Sequence, residues 1–91
     1  MRESKIERYL CEQIKLIGGI AYKFTSPQRR SVPDRLVVLP YGKSFFVECK
    51  APDKEPTPAQ KREAERLRAL RQAVYVVDTI ASVDALIREY A

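Results

Sequence analysis

Residues Val32 to Lys50 constrain the fold of this chain more than any other stretch. Two apolar runs, Arg35-Leu-Val-Val-Leu39 and Ser44-Phe-Phe-Val-Glu-Cys-Lys50, flank Pro40-Tyr41-Gly42-Lys43. β-Branched and aromatic residues suit a pleated surface and Pro and Gly suit the bend, so the stretch predicts a β-hairpin. Side chains alternate faces along a strand. Phe46, Glu48 and Lys50 therefore point one way, and Phe45, Val47 and Cys49 the other. Asp34 enters the first strand of the same hairpin, and a suitable register brings its carboxylate to the Glu48 end. Two carboxylates and an ammonium would then share one end of an otherwise apolar sheet.

The flanking sequence supplies the other layers. Ile6, Leu10, Ile14 and Ile17 recur at helical spacing from Glu3 to about Ile17, and Gly18-Gly19 ends that helix. At about 100° per residue, Glu3 is expected close to the middle of the apolar stripe, Glu7 near its edge and Glu12 outside it. Ile20 to Thr25 has strand composition, and Ser26 to Ser31 is a polar loop carrying Arg29 and Arg30. Beyond the hairpin, Ala51 to Thr57 reads as an exposed connection. Thr57 followed by Pro58 is a helix start, and the helix is expected to run to about Arg71. Ala59, Ala64, Leu67 and Leu70 define its apolar side, with Gln60 and Glu63 inside the same arc. Ala73 to Val77 is a strand that can lie parallel to the one before this helix. Ser82 to Tyr90 is a closing helix, with Ser82 as expected cap. The order is α-β-β-β-α-β-α, an α/β fold with a mixed sheet in a single domain, 1–91.

Charge and composition narrow the chemistry. Seventeen Lys and Arg stand against twelve acids, a net charge of +5. Arg29, Arg30, Arg35, Lys43, Lys54 and the series beginning at Lys61 offer enough cations to neutralise several phosphates, although a solvated surface accounts for the excess as well. With no histidine in the chain, His-Cys zinc sites and His-activated nucleophiles are excluded. Cys11 and Cys49 have no metal or disulfide spacing and read as small core residues. No apolar run approaches the ~20 residues of a membrane span and no signal-peptide pattern opens the chain, so a cytoplasmic protein is expected.

Paired carboxylates serve several chemistries. A glycosidase needs a wide cleft with aromatic platforms, which a small basic chain lacking tryptophan does not offer. Hard oxygen ligands from Asp34 and Glu48, with the Cys49 carbonyl and Glu3 as further candidates, suit Mg2+ or Mn2+, which keep several waters and lean on substrate phosphate. Lys50 could then orient the attacking water or offset transition-state charge. A non-catalytic nucleic-acid-binding module, and an interaction domain whose acids pair with its arginines, are the competing readings.

Pro33-Asp34, followed fourteen residues on by Glu48-Cys49-Lys50, resembles the signature of PD-(D/E)XK nucleases, whose restriction-endonuclease-like core has this order of elements. More closely, the whole chain resembles the virus-type replication and repair nuclease (VRR-NUC) domain. The resemblance rests on Glu3, Ile6 and Leu10, Gly18-Gly19, Lys23 to Pro27, Val32 to Asp34, Phe46 to Pro52, Pro58 with Gln60, and Val74 to Asp78. It implies Asp34 and Glu48 as metal ligands, Lys50 as the catalytic lysine, Glu3 as a helix-borne acid and Gln60 as the glutamine after the hairpin. Lys23, Arg29, Arg30, Arg35, Lys54 and Lys61 are the expected DNA contacts. The resemblance also implies a homodimer that cuts branched DNA such as four-way junctions, in a bacterial or phage-infected cell. Tyr9, Leu16 and Tyr90 are the expected interface residues. The chain departs from the family where Ser31 stands for a usual glycine and near Gln72, where a glycine is common.

Overall fold

A computed structural model describes all 91 residues. Helix α1 spans Glu3–Leu16 and buries Ile6, Leu10 and Ile14, the i, i+4 ladder that the periodicity predicts. It closes through Gly18, whose φ of +89° lets its N–H reach the Lys15 carbonyl. At Gly19 a Cβ would stand 2.5 Å from a Leu39 methyl and 2.8 Å from the Val38 carbonyl oxygen. The chain can therefore pass this close to the following hairpin only without a side chain there.

Four strands follow: β1 (Ile20–Lys23), β2 (Arg35–Val38), β3 (Ser44–Cys49) and β4 (Val74–Val77), arranged β1-β2-β3-β4. The β2–β3 hairpin turns through a short 3-10 segment, Pro40–Gly42. Antiparallel pairing joins β1 to β2 and β2 to β3, while β4 lies parallel to β3 after the crossover helix α2 (Pro58–Ala69). Helix α3 (Ile80–Tyr90) ends the chain. Its cap is Thr79, not Ser82. Thr79 Oγ1 accepts the Ser82 N–H at 2.9 Å, while Ser82 Oγ accepts the Thr79 N–H at 3.0 Å, so Ser82 is the third helical residue of a reciprocal capping box.

The sheet's two faces are unequal. On one face Val37, Phe45, Val47, Cys49 and Val77 pack with Ile6, Leu10, Ile14, Val83 and Leu86 into a single core under α1 and α3. Tyr9 and Tyr90, expected on outer faces, belong to this layer instead. Tyr90 stacks on Phe45 with centroids 4.3 Å apart, and the Tyr9 hydroxyl donates to Asp84. Leu16 alone of the three is exposed, at 77 %. The other face is covered only in part, because α2 buries just Glu63 and Ala64 and leaves Leu70 in solvent. Leu67 and Leu70 thus do not form the buried side expected of them. With so little apolar surface to bury, α2 rests on one end of the sheet, and Ile20, Tyr22 and Val38 stay exposed on that face.

Candidate active site

The strand register assembles the site. Arg35 pairs with Val47, and one step further Asp34 stands across from Glu48, on the face turned away from the α1/α3 core. On the other side of β2 the pairing with β1 also extends to this residue, since the Phe24 N–H donates to the Asp34 carbonyl at 2.9 Å. The Asp34 carboxylate accepts the Cys49 backbone N–H at 2.7 Å, a charge-assisted bond that ties the two strands where the acids meet. Glu48 pairs in register with Val76 of β4, and the Lys50 N–H donates to the Val77 carbonyl at 2.9 Å, holding the end of β3 in the sheet.

Glu48 is the unusual member. It is 4 % exposed, and neither carboxylate oxygen has a hydrogen-bond partner. The Lys50 ammonium lies 3.5 Å from one of them, within ion-pair reach but without hydrogen-bond geometry. Burial first, and then the Asp34 charge, push the Glu48 carboxyl up to about 7; Lys50 opposes the shift and Glu3 adds slightly to it. A buried carboxylate without donors, beside a second carboxylate, suits a cation missing from the protein's own inventory. Buried polar oxygens of this kind are hard ligands matched to a hard divalent ion.

The remaining expected groups are placed unequally. Gln60 lines the cleft that Glu48 enters, but its carbonyl oxygen is held by the Thr57 N–H at 2.8 Å in the capping box that starts α2, leaving the amide nitrogen for the cleft. Glu3 is exposed in the first turn of α1, not sunk in the apolar stripe; only its charge reaches Glu48. Cys49 turns its thiol into the core, where burial pushes its pKa up, and presents only backbone to the site. No three His, Cys, Asp or Glu side chains converge on one point, so the chain brings a pair of carboxylates and not a closed cage.

The cations divide in the same way. Arg35, expected on DNA, faces α1 and is occupied there, with its Nε 2.7 Å from Glu7 and a second bond to the Ala21 carbonyl at 3.0 Å. Lys23 meets the same Glu7 at 3.2 Å. Register sets Lys23 directly opposite Arg35, a like-charge pair that is destabilising unless an acid bridges it. Glu7 is that acid. Sequence reading passed over it, although strand alternation already placed both cations on the α1 face. Arg29 reaches the buried Glu63 at 3.9 Å, and Glu63 also holds Arg66 at 3.3 Å, so the basic loop leans on α2. Lys61 pairs with Glu55 at 3.8 Å on an open surface, where such a pair is worth little. Arg30 and Lys54 form no ion pair and are exposed.

Ser31, at the position where the resemblance leads to the expectation of a glycine, takes φ +64°, and Arg71, beside Gln72, takes φ +66°. Each non-glycine residue in that region costs about 1–2 kcal/mol. The turn before Asp34 is thus formed at some expense in stability.

The chain is similar to known nucleases. A protein described as "Putative nuclease p44", of Acyrthosiphon pisum secondary endosymbiont phage 1, is 60% identical over 79 residues, covering 87% of this chain and 85% of that protein. A solved structure described as a VRR_NUC domain superposes with a TM-score of 0.91 at 38% identity, over 98% of this chain and 97% of the other. No protein-family model matches the chain.

Proposed function

Because the chain belongs to the VRR_NUC family of nucleases, of PD-(D/E)XK type, we propose that it is a divalent-metal-dependent endonuclease that hydrolyses phosphodiester bonds in branched DNA. The observation that carries this reading is the buried, donor-free Glu48 carboxylate facing Asp34, with Lys50 beside it. Asp34 and Glu48 would hold Mg2+ or Mn2+, and two protein carboxylates are enough for ions that retain water and bind substrate phosphate. The bound ion would supply Lewis-acid polarisation of the scissile phosphate. Asp34 is oriented by the Cys49 N–H, so its free oxygen has a fixed aim. Lys50 stands where a cation can orient the attacking water or offset charge developing on the phosphate. Gln60 offers its amide nitrogen from the cleft wall, and Glu3 adds negative potential from the helix end.

Arg29, Arg30, Lys54 and Lys61 supply phosphate contacts, with Lys23 contributing from the rim when it is not bound to Glu7. A two-fold dimer would bring two such sites to a branched substrate of matching symmetry. What supports a dimer is the uncovered sheet face, where Ile20, Tyr22 and Val38 are exposed side by side. No helix is long and apolar enough to cross a membrane. A DNA substrate would place the protein in the cytoplasm of a bacterium or phage-infected cell.

The test is a cleavage panel on duplex, flap, fork and four-way-junction DNA with Mg2+ or Mn2+, using wild type and Asp34→Asn. Metal-dependent cutting that prefers branched DNA and vanishes in the variant is expected. DNA binding without cleavage under any metal would return the chain to the non-catalytic binding module.

A further inference from the structure

A pocket of about 290 Å³ opens beside the catalytic row, between α2 and β4. Its floor is Val74 and Val76, its α2 wall Gln60 and Ala64, its far wall Pro56, and Glu48 closes the end that meets the active site. Val76 pairs in register with Glu48, so the floor begins one strand spacing, roughly 4.8 Å, from a catalytic carboxylate. Whatever fills the pocket is then an immediate neighbour of a phosphate held at Asp34 and Glu48.

The lining decides what that is. A phosphate suits it poorly, because the floor is branched aliphatic surface that cannot solvate charge and Glu48 and Glu65 offset the two lining cations. The Ser31 hydroxyl and the Gln60 amide offer hydrogen bonds, and Lys61, Glu65 and Arg68 also line the pocket, with Arg68 donating to the Val74 carbonyl at 2.7 Å. A narrow aliphatic floor between polar and charged walls suits a flat heterocycle carried on a polyanion. Its size lies at the lower bound of ligand sites, ~300 Å³, which suits a single ring system and not a stacked pair.

We infer that the pocket receives one nucleobase adjacent to the scissile phosphate, turned out of the helical stack. This rests on the nuclease reading above and deepens it into an account of substrate choice. Unstacking and unpairing a base costs a few kcal/mol, and least where the base is already unpaired. Branch points supply such bases, so a pocket that must be filled before cutting selects branched DNA without any sequence-reading element.

The fluorescent adenine analogue 2-aminopurine, placed in turn at each nucleotide around the cut of a branched substrate, reads this directly. With wild-type protein and Ca2+ in place of Mg2+, one position is expected to brighten on binding. Val76→Phe fills the pocket from a partly exposed floor position. It should abolish the brightening and slow cleavage by about tenfold or more, the discrimination one pocket group can give. Mn2+ binding at Asp34 and Glu48 should be unchanged. An abasic site at the same nucleotide should restore cleavage by Val76→Phe, since no base then needs the pocket. Should that variant not fold by circular dichroism, Ala64→Val fills the opposite wall. A saturated complex in which every position stays dark overturns the proposal, as does brightening that survives both substitutions. If wild type cuts no DNA with any metal, the nuclease reading fails instead, while the fluorescence still reports on the pocket.

Discussion

Glu48→Gln removes one charge from a nearly inaccessible position and should therefore act on stability as strongly as on catalysis. Burial pushes the folded carboxyl up to about 7 from an ordinary 4.5. Because the folded value is the higher one, the native state holds a proton through that window that the unfolded chain has released. Stability therefore falls as pH rises through the window, and the loss is complete above the folded value. Some 2.5 pKa units correspond to ~3 kcal/mol. The attraction of Lys50 is already counted in that net shift, since it opposes burial at the same carboxylate. With divalent ions chelated, Glu48→Gln should equal wild type near pH 4 and exceed it by ~3 kcal/mol at pH 8, or on the order of 10–20 °C in Tm for a domain this size. Urea titrations of both proteins across pH measure the gap. Adding Mn2+ at about a hundred times its Kd should return ~2.7 kcal/mol to wild type and little to the variant. A variant no more stable than wild type at pH 8, or a gap that does not close on acidification, would refute the view that Glu48 is buried without adequate partners.

Two further substitution sets separate binding from turnover and the loop cations from the one held against α1. Lys50→Ala should retain Mn2+ binding by titration and lose two or more orders of magnitude in kcat, roughly the effect of removing one transition-state donor; loss of Mn2+ affinity instead would make Lys50 a structural counter-charge. Arg29→Ala with Arg30→Ala should flatten the dependence of log Kd for DNA on log salt by about 1.8, two phosphate contacts' worth. Arg35→Ala should leave that slope alone and lower Tm, because it strips Glu7 of its closest partner; a slope change from Arg35→Ala would show that the Glu7 pair opens on DNA.

The placement of most of the candidate site was legible because strand alternation is rigid. Once Val32 to Lys50 is read as a hairpin, Glu48 and Lys50 must share a face, and only the register is left to set Asp34 opposite Glu48. The core was legible for the same reason: Ile6, Leu10 and Ile14 against Val37, Phe45 and Val47 follow from two periodicities. What escaped depended on distance in sequence or on competition between equivalent groups. Tyr9 and Tyr90 look like surplus aromatics until α3 folds back on α1 and Asp84 and Phe45 meet them. Arg35 looks like any other cation until Lys23 lands opposite it and Glu7 is drawn in. At the start of α3, Thr79 and Ser82 are both capping residues; the extended Thr79 backbone, φ −144°, decides between them. Glu3 sits one turn ahead of the first buried isoleucine, where nothing packs over it.

The division of the sheet explains how so small a domain can carry a destabilising site. All of the continuous apolar packing lies on the α1/α3 side, while Asp34, Glu48 and the cleft lie on the other, under a helix that buries almost nothing apolar. A cost of ~3 kcal/mol is a large share of the 5–15 kcal/mol available to an ordinary domain. That cost falls on the face opposite the core cluster that sets the fold. The same separation would let a divalent ion, a phosphate and an unstacked base bind along the cleft without disturbing the packed layer on the opposite face of the sheet.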